Sequence, residues 1–119
     1  MKKVLWISRH EMTKDQFDDL TRIAGEPVEL TLWQDTVTDI HQLLPTIKEV
    51  DVVAAVLPLQ LIAELLPFLE GKPLLQAESD RVPTGRILHL QDGRTEQEYA
   101  FRHRCWQQVL KLELQTVRL

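Results

Sequence analysis

The chain has 119 residues, 44% of them hydrophobic and 27% charged, with a formal net charge of −4 and a single cysteine. That length suits one domain whose core needs no metal or disulfide to staple it, and the composition excludes a disordered or membrane-embedded protein. The acidic balance excludes a non-specific DNA or membrane-surface binder, which draws on many basic groups releasing counterions, yet it leaves room for a small anionic ligand held by a local cluster.

Lys3 to Ser8 is a continuous apolar run, the pattern of a parallel strand buried on both faces. It breaks at Arg9-His10 into a polar turn. Thr13 and Gln16 then have the spacing of a capping box, with Met12 and Phe17 placed as its hydrophobic staple. Phe17, Leu20, Ile23 and Ala24 mark one helical face, and Gly25 before Pro27 is the expected stop. Val28 to Trp33 alternates, which predicts a strand with one wetter face at or near the edge of a sheet. Thr38 is positioned to cap a second helix carrying Ile40, Leu43, Leu44 and Ile47, which Pro45 should divide into two pieces.

Val52 to Leu57 is the second uninterrupted apolar run, a further central strand closed by Pro58. Leu59 to Leu69 follows as a very apolar helix, wide enough in its apolar belt to imply burial against the sheet and against a second subunit. After Gly71-Lys72-Pro73, Leu74 to Ala77 makes a short fourth strand. Residues 78–86 are polar, carry Pro and Gly and lack periodicity, so they read as a long loop. Asp92-Gly93 is a strong hairpin signal between Ile87–Gln91 and Glu98–Phe101, and Val109 to Val117 alternates as a half-buried strand.

The expected fold is therefore a single α/β domain over residues 1–119: a Rossmann-like, mostly parallel sheet of order 2-1-3-4 over about residues 1–78, with a β-rich C-terminal extension over about 79–119. In such sheets ligands bind beyond the carboxyl ends of the strands at the switch point, here where Ser8-Arg9-His10 meets Leu57-Pro58-Leu59-Gln60. A helix start just after a strand end also offers unpaired N–H groups suited to phosphate. Cys105 has no partner for an intrachain disulfide, and the apolar run before Arg9 is too short for a leader or a membrane span, so the cytoplasm is the expected compartment.

Arg9-His10 after a first strand is similar to the Arg-His-Gly motif of histidine phosphatases, but Glu11 stands where that motif has glycine and puts a carboxylate in the path of a phosphate. The run Ser8-Arg9-His10-Glu11-Met12-Thr13-Lys14-Asp15-Gln16 resembles more closely the start of the small stand-alone CRISPR-associated proteins of Rossmann-like fold, the ring nucleases and their non-catalytic relatives. These bind or cleave cyclic oligoadenylate messengers. The resemblance implies a homodimer holding a ring, the tetra-adenylate by expectation, across its two-fold interface, and a metal-independent attack of a ribose 2′-hydroxyl on the neighbouring phosphate that switches off type III CRISPR signalling. It needs no cofactor. It assigns catalysis to Arg9 and His10 and ligand contacts to Ser8, Thr13 and Lys14. Position alone adds Gln60 beside the switch point and Arg81 and Arg86 on the predicted loop, with Arg102-His103-Arg104 as a lid.

The same residues also have plain structural uses. His10 and Thr13 can close a turn and cap a helix. Arg81 and Arg86 can be solvated loop charges, and Arg102-His103-Arg104 the exposed end of a hairpin. Trp6, Trp33 and Trp106 can stack on adenine or fill a small core. Cys105 reads as a packed thiol. The four histidines and one cysteine have no zinc-ligand spacing, and neither a Walker A motif nor G-x-G-x-x-G is present.

Overall fold

The run Lys2–Ile7 forms β1, fully buried from Val4 onward, in a computed structural model that describes residues 1–111, 117 and 118. Apolar side chains on both sides of the pleat leave this strand no wet face, so it takes the middle of the sheet. Parallel to it run β2 (Val28–Trp33) on one side and β3 (Val52–Ala55) on the other, with Val4 between Leu30 and Val52 and Trp6 between Leu32 and Ala54. β4 (Leu74–His89) pairs parallel to β3 from Leu74 to Gln76, and β5 (Thr95–Gln108) returns antiparallel to β4. Among the described residues the result is a mostly parallel five-stranded α/β sheet of order β2-β1-β3-β4-β5, with an antiparallel hairpin at its β5 edge. Its first four strands stand in the expected order.

Alternation along β1 splits the core between the two faces. Val4 and Trp6 pack with Leu20, Ala54, Leu75 and Trp106 beneath α1 (Lys14–Ala24). Leu5 and Ile7 pack with Val53, Ala55, Ile62 and Leu65 beneath the remaining helices. The α1 capping box is complete: Gln16 N–H donates to Thr13 Oγ1 at 3.1 Å, and Thr13 N–H donates to Gln16 Oε1 at 2.9 Å. Gly25 ends the helix at φ +71°, a left-handed position that costs glycine little, and its N–H donates to Thr21 O.

Pro45 divides the second helical segment as expected, into a 3₁₀ turn (Ile40–Leu43) and α2 (Leu44–Ile47). Its cap is Asp39 and not Thr38, because the carboxylate of Asp39, on extended backbone, reaches the His41 N–H at 3.0 Å. α3 (Leu59–Leu65) gives way to a 3₁₀ turn (Leu66–Phe68) at Pro67. Its apolar belt finds most of its cover within the chain: Ile62, Leu65 and Leu69 are buried in the lower cluster, and Leu61 and Leu66 pack against it.

Three expectations about the strands also change. β3 stops at Ala55, and Val56 turns out to solvent although its N–H still donates to Ile7 O. The fourth strand does not end at Ala77: β4 runs to His89, so residues 78–86 are strand and not loop, paired with β5 through bulges at Glu78/Ser79 and between Pro83 and Ile87. Turn residues in that stretch are absorbed as a bulge, where Gly85 takes φ +84°. The tip is the Leu90–Arg94 turn, with Asp92-Gly93 at its bend. Finally, Val109 anchors to Leu74 O through its N–H at 2.8 Å, but Leu110 and Lys111 are not in a strand, and the rest of the strand expected up to Val117 falls on residues 112–116, outside those described.

From Ala77 to His89, thirteen residues of β4 run on past the last β3 pairing, roughly 40 Å of two-stranded ribbon at about 3.3 Å per residue. The radius of gyration is accordingly 17.3 Å, against about 13–14 Å for a compact chain of this length. Because β4 is parallel to β1 and β3, the ribbon leaves the sheet at the same end as their carboxyl termini. Among the described residues no helix is long and apolar enough to cross a membrane.

At the ribbon's root the His103 side chain is only 6% exposed, its Nε2 2.9 Å from Asp19 Oδ2 on α1, and Arg22 bonds the other oxygen of that carboxylate at 2.7 Å. The His103 and Arg22 contacts hold the Asp19 carboxyl below its usual range. Its stabilising contribution is therefore complete above about pH 5, clear of an unfolded carboxyl near 3.9, and is lost as the pH falls through the depressed folded value. Asp19→Asn should cost about 1–2 kcal/mol in urea unfolding at pH 7, and the gap between variant and wild type should close in acid.

Candidate functional site

β1 runs out of apolar residues at Ser8, and the turn that follows is built by side chains. Ser8 N–H donates to Trp33 O at 3.1 Å, carrying the β1–β2 ladder one step past the strand. The buried Ser8 Oγ accepts from His10 N–H at 3.1 Å, a hydroxyl-closed turn, and Trp6 Nε1 reaches over to donate to His10 O at 3.0 Å. Residues 8–10 are thereby held at the carboxyl edge of the sheet without a glycine.

Beside this turn lies an open cavity of about 280 Å³, walled by Ile7, Ser8 and Arg9 from β1, by Asp35, Thr36 and Val37 after β2, and by Val56, Leu57, Pro58 and Leu61 at the β3–α3 corner. It occupies the switch point, where β1's two neighbours connect to opposite faces of the sheet. Its size falls just below the range for ligand pockets, about 300–1,000 Å³, and suits no more than one nucleotide-sized unit. Among the described residues Arg9 is the one cation of the wall, its guanidinium donating to Thr36 Oγ1. Asp35 is the one carboxylate. The rest is an apolar surface against which a flat ring can lie.

The expected site residues divide. Ser8 and Arg9 are in the wall. His10 is exposed, follows Arg9 directly and stands outside the lining; its backbone is committed to the turn, while among the described residues nothing hydrogen-bonds its ring. Gln60 is exposed on the first turn of α3, between the wall residues Pro58 and Leu61 in sequence but not part of the lining. Thr13 is spent on the α1 cap, and Lys14 is exposed and paired with Asp18 at 3.0 Å; neither touches the cavity.

Arg81 and Arg86 lie out on the ribbon and not on a loop over the site. Arg81 stacks on the Tyr99 ring at 3.9 Å, and Arg86 stands 3.8 Å from Glu98. Arg102-His103-Arg104 lies at the ribbon's root, not its tip, and His103 is engaged by α1. Trp6 and Trp106 are core residues in edge-to-face contact at 5.7 Å. Burial first, then the neighbouring Glu78 carboxylate, pushes the Cys105 thiol up, so it remains protonated and a poor nucleophile.

The residues not anticipated are Asp35 and Thr36. Both follow the carboxyl end of β2, and the rule that ligands lie beyond strand ends at a switch point was the available signal. Comparison with protein-family models, with curated protein sequences and with solved structures found no match for this chain.

Because the Thr13 hydroxyl works for the helix, Thr13→Ala should lower stability by about 1 kcal/mol, read as a shifted urea midpoint, and should leave any binding at the Arg9 cavity unchanged.

Proposed function

We propose that this chain, a Rossmann-like protein by its strand order, binds a cyclic oligoadenylate, the tetra-adenylate first, with one adenylate in the Arg9 cavity, and cleaves it to end type III CRISPR signalling. The observation that carries the reading is that Ser8, Arg9 and the Pro58 corner, distant in sequence, line one cavity at the switch point. The cavity is too small for the whole ring, so the remaining nucleotides lie outside it. Arg9 suits a phosphodiester, Asp35 suits a ribose hydroxyl as acceptor, and Val56, Leu57 and Leu61 offer an apolar surface to a base.

In the cleavage step a ribose 2′-oxygen attacks the adjacent phosphorus, giving up its proton, while the bond from phosphorus to the 5′-oxygen breaks and that oxygen takes a proton. The products are a 2′,3′-cyclic phosphate and a free 5′-hydroxyl, with no other reactant consumed. Arg9 would neutralise charge building on the phosphorane oxygens, and His10, whose ring is free to turn towards a ligand at Arg9, would move the proton. His10's place outside the lining favours a second reading, sequestration without cleavage. The same placement counts against a phosphatase, which needs its histidine aimed at the bound phosphate.

Purified protein incubated with labelled cyclic tetra-adenylate should yield linear products; tight retention with no product would establish sequestration instead. Arg9→Ala should weaken ring binding by about tenfold or more, the worth of a charge-assisted hydrogen bond. His10→Ala should leave binding within about twofold while lowering the cleavage rate by about 10²-fold or more. Unchanged binding and cleavage in both variants would remove the site assignment.

A further inference from the structure

The ribbon is the part of the chain whose surface the fold leaves unused. Beyond the sheet, among the described residues, it has two free edges and two uncovered faces, and an isolated two-stranded ribbon has little stability of its own in water. Phe101 is 79% exposed, Ile87 64% and Tyr99 38%. The register puts Tyr99 and Phe101 on one face, with Pro83 and Arg81 opposite them, and Glu98, Ala100 and Arg102 on the other.

The two edges are not equivalent. On β4 the edge is interrupted by Pro83, Gly85 and a bulge, devices that block further strand pairing. On β5 the stretch from Thr95 to His103 has no proline, glycine, lysine or bulge, and among the described residues nothing pairs with its outer side. This is a straight edge left open.

We propose that a second copy of this chain occupies that edge: two β5 strands pair antiparallel about a two-fold axis at Ala100, and the sheet continues from one molecule into the next. Residues equidistant from Ala100 then face each other. Glu98 meets Arg102 of the second copy, Tyr99 meets Phe101 of the second copy, and each pair occurs twice. Opposite charges and paired aromatics are the favourable cross-strand combinations. Registers centred on Glu98 or on Arg102 would set like charges face to face, and those centred on Tyr99 or Phe101 would make one kind of opposite-charge pair where the register centred on Ala100 makes two, Glu98 with Arg102 and Glu96 with Arg104. Between Ser79 and Arg104 there are five arginines and four carboxylates, a near balance that lets two ribbons meet without net repulsion and gives a nucleic acid little to hold. β5 is the sheet edge farthest from β2, so this dimer differs from the one the resemblance implies: the two Arg9 cavities stay on the outer flanks, each open to its own ligand, and no ring spans the two-fold axis.

This inference does not rest on the ligand reading, and its test contains no nucleotide. The full chain should sediment at twice its 13.9 kDa mass across a concentration series. Arg102→Glu, which sets two carboxylates opposite each other twice per dimer, should weaken association by about tenfold or more. The double variant Glu98→Arg/Arg102→Glu should restore it; an effect confined to Asp80, the neighbour of Arg102 within the chain, would not be rescued. In a Cys105→Ser background, Ala100→Cys should form a disulfide dimer on mild oxidation and Gln97→Cys should not, because only the residue on the axis faces its own copy at bonding distance. A monomer at every concentration, or a dimer indifferent to the charge swap and not cross-linked through position 100, would overturn the proposal.

Discussion

The edge-to-face contact between Trp6 and Trp106 joins the two ends of this chain. Trp6 belongs to the central strand and Trp106 to β5, with α1 above both. Each indole also spends its N–H on a backbone carbonyl, Trp6 on His10 and Trp106 on Gln16. One aromatic pair therefore fixes the turn after β1, the seat of α1 and the root of the ribbon. A buried tryptophan with its donor unpaired would be costly, and satisfying both donors locally makes the arrangement specific as well as apolar. The contrast is Trp33, at the outer edge on β2, whose indole nitrogen has no partner among the described residues.

From that arrangement the cavity follows with little further contrivance. Residues 8–10 are held by Ser8 and Trp6, so Arg9 can stand in the wall while Thr36 steadies its guanidinium. The opposing wall is the Pro58 corner, present because β3 ends at Ala55 and the chain must turn into α3. A single cation, a single carboxylate and a broad apolar surface match a molecule that is part phosphate, part sugar and part base better than a bare anion, which would find Asp35 unwelcome. This mixture sets the chemical class of the proposed ligand.

The ribbon obeys a different balance. The body of the sheet is covered on both faces, whereas the ribbon keeps aromatic and aliphatic side chains in water and is tied to the body chiefly through its root, where His103 meets Asp19 and Trp106 meets Gln16. Apolar surface of this kind on a protruding element is the usual mark of a protein interface. Interruptions on β4 between Pro83 and Ile87, and none on β5 from Thr95 to His103, give that surface a direction. The same asymmetry explains why the hairpin can be long without inviting indiscriminate stacking on both sides.

Local pattern determined much of this protein. Uninterrupted apolar runs identify β1 and the start of β3 as central strands, alternation puts β2 at the edge, Thr13 and Gln16 place the α1 start, and Pro45 divides the second helix, because each depends on side-chain period or on backbone chemistry within a few residues. The switch-point position of Ser8 and Arg9 follows from strand order, which those patterns nearly dictate. Tertiary structure alone decided the rest. Residues 78–86 look like loop by composition, yet cross-strand pairing with β5 makes them strand, since a bulge can absorb Pro83 and Gly85 where an even ladder cannot. That pairing carried Arg81 and Arg86 away from the cavity, and it is the segment after β2 that puts Asp35 and Thr36 in the wall. It also buried His103 against Asp19, 84 residues away, a partnership without local signal because contacts between distant segments are set by how layers stack and not by what lies next along the chain.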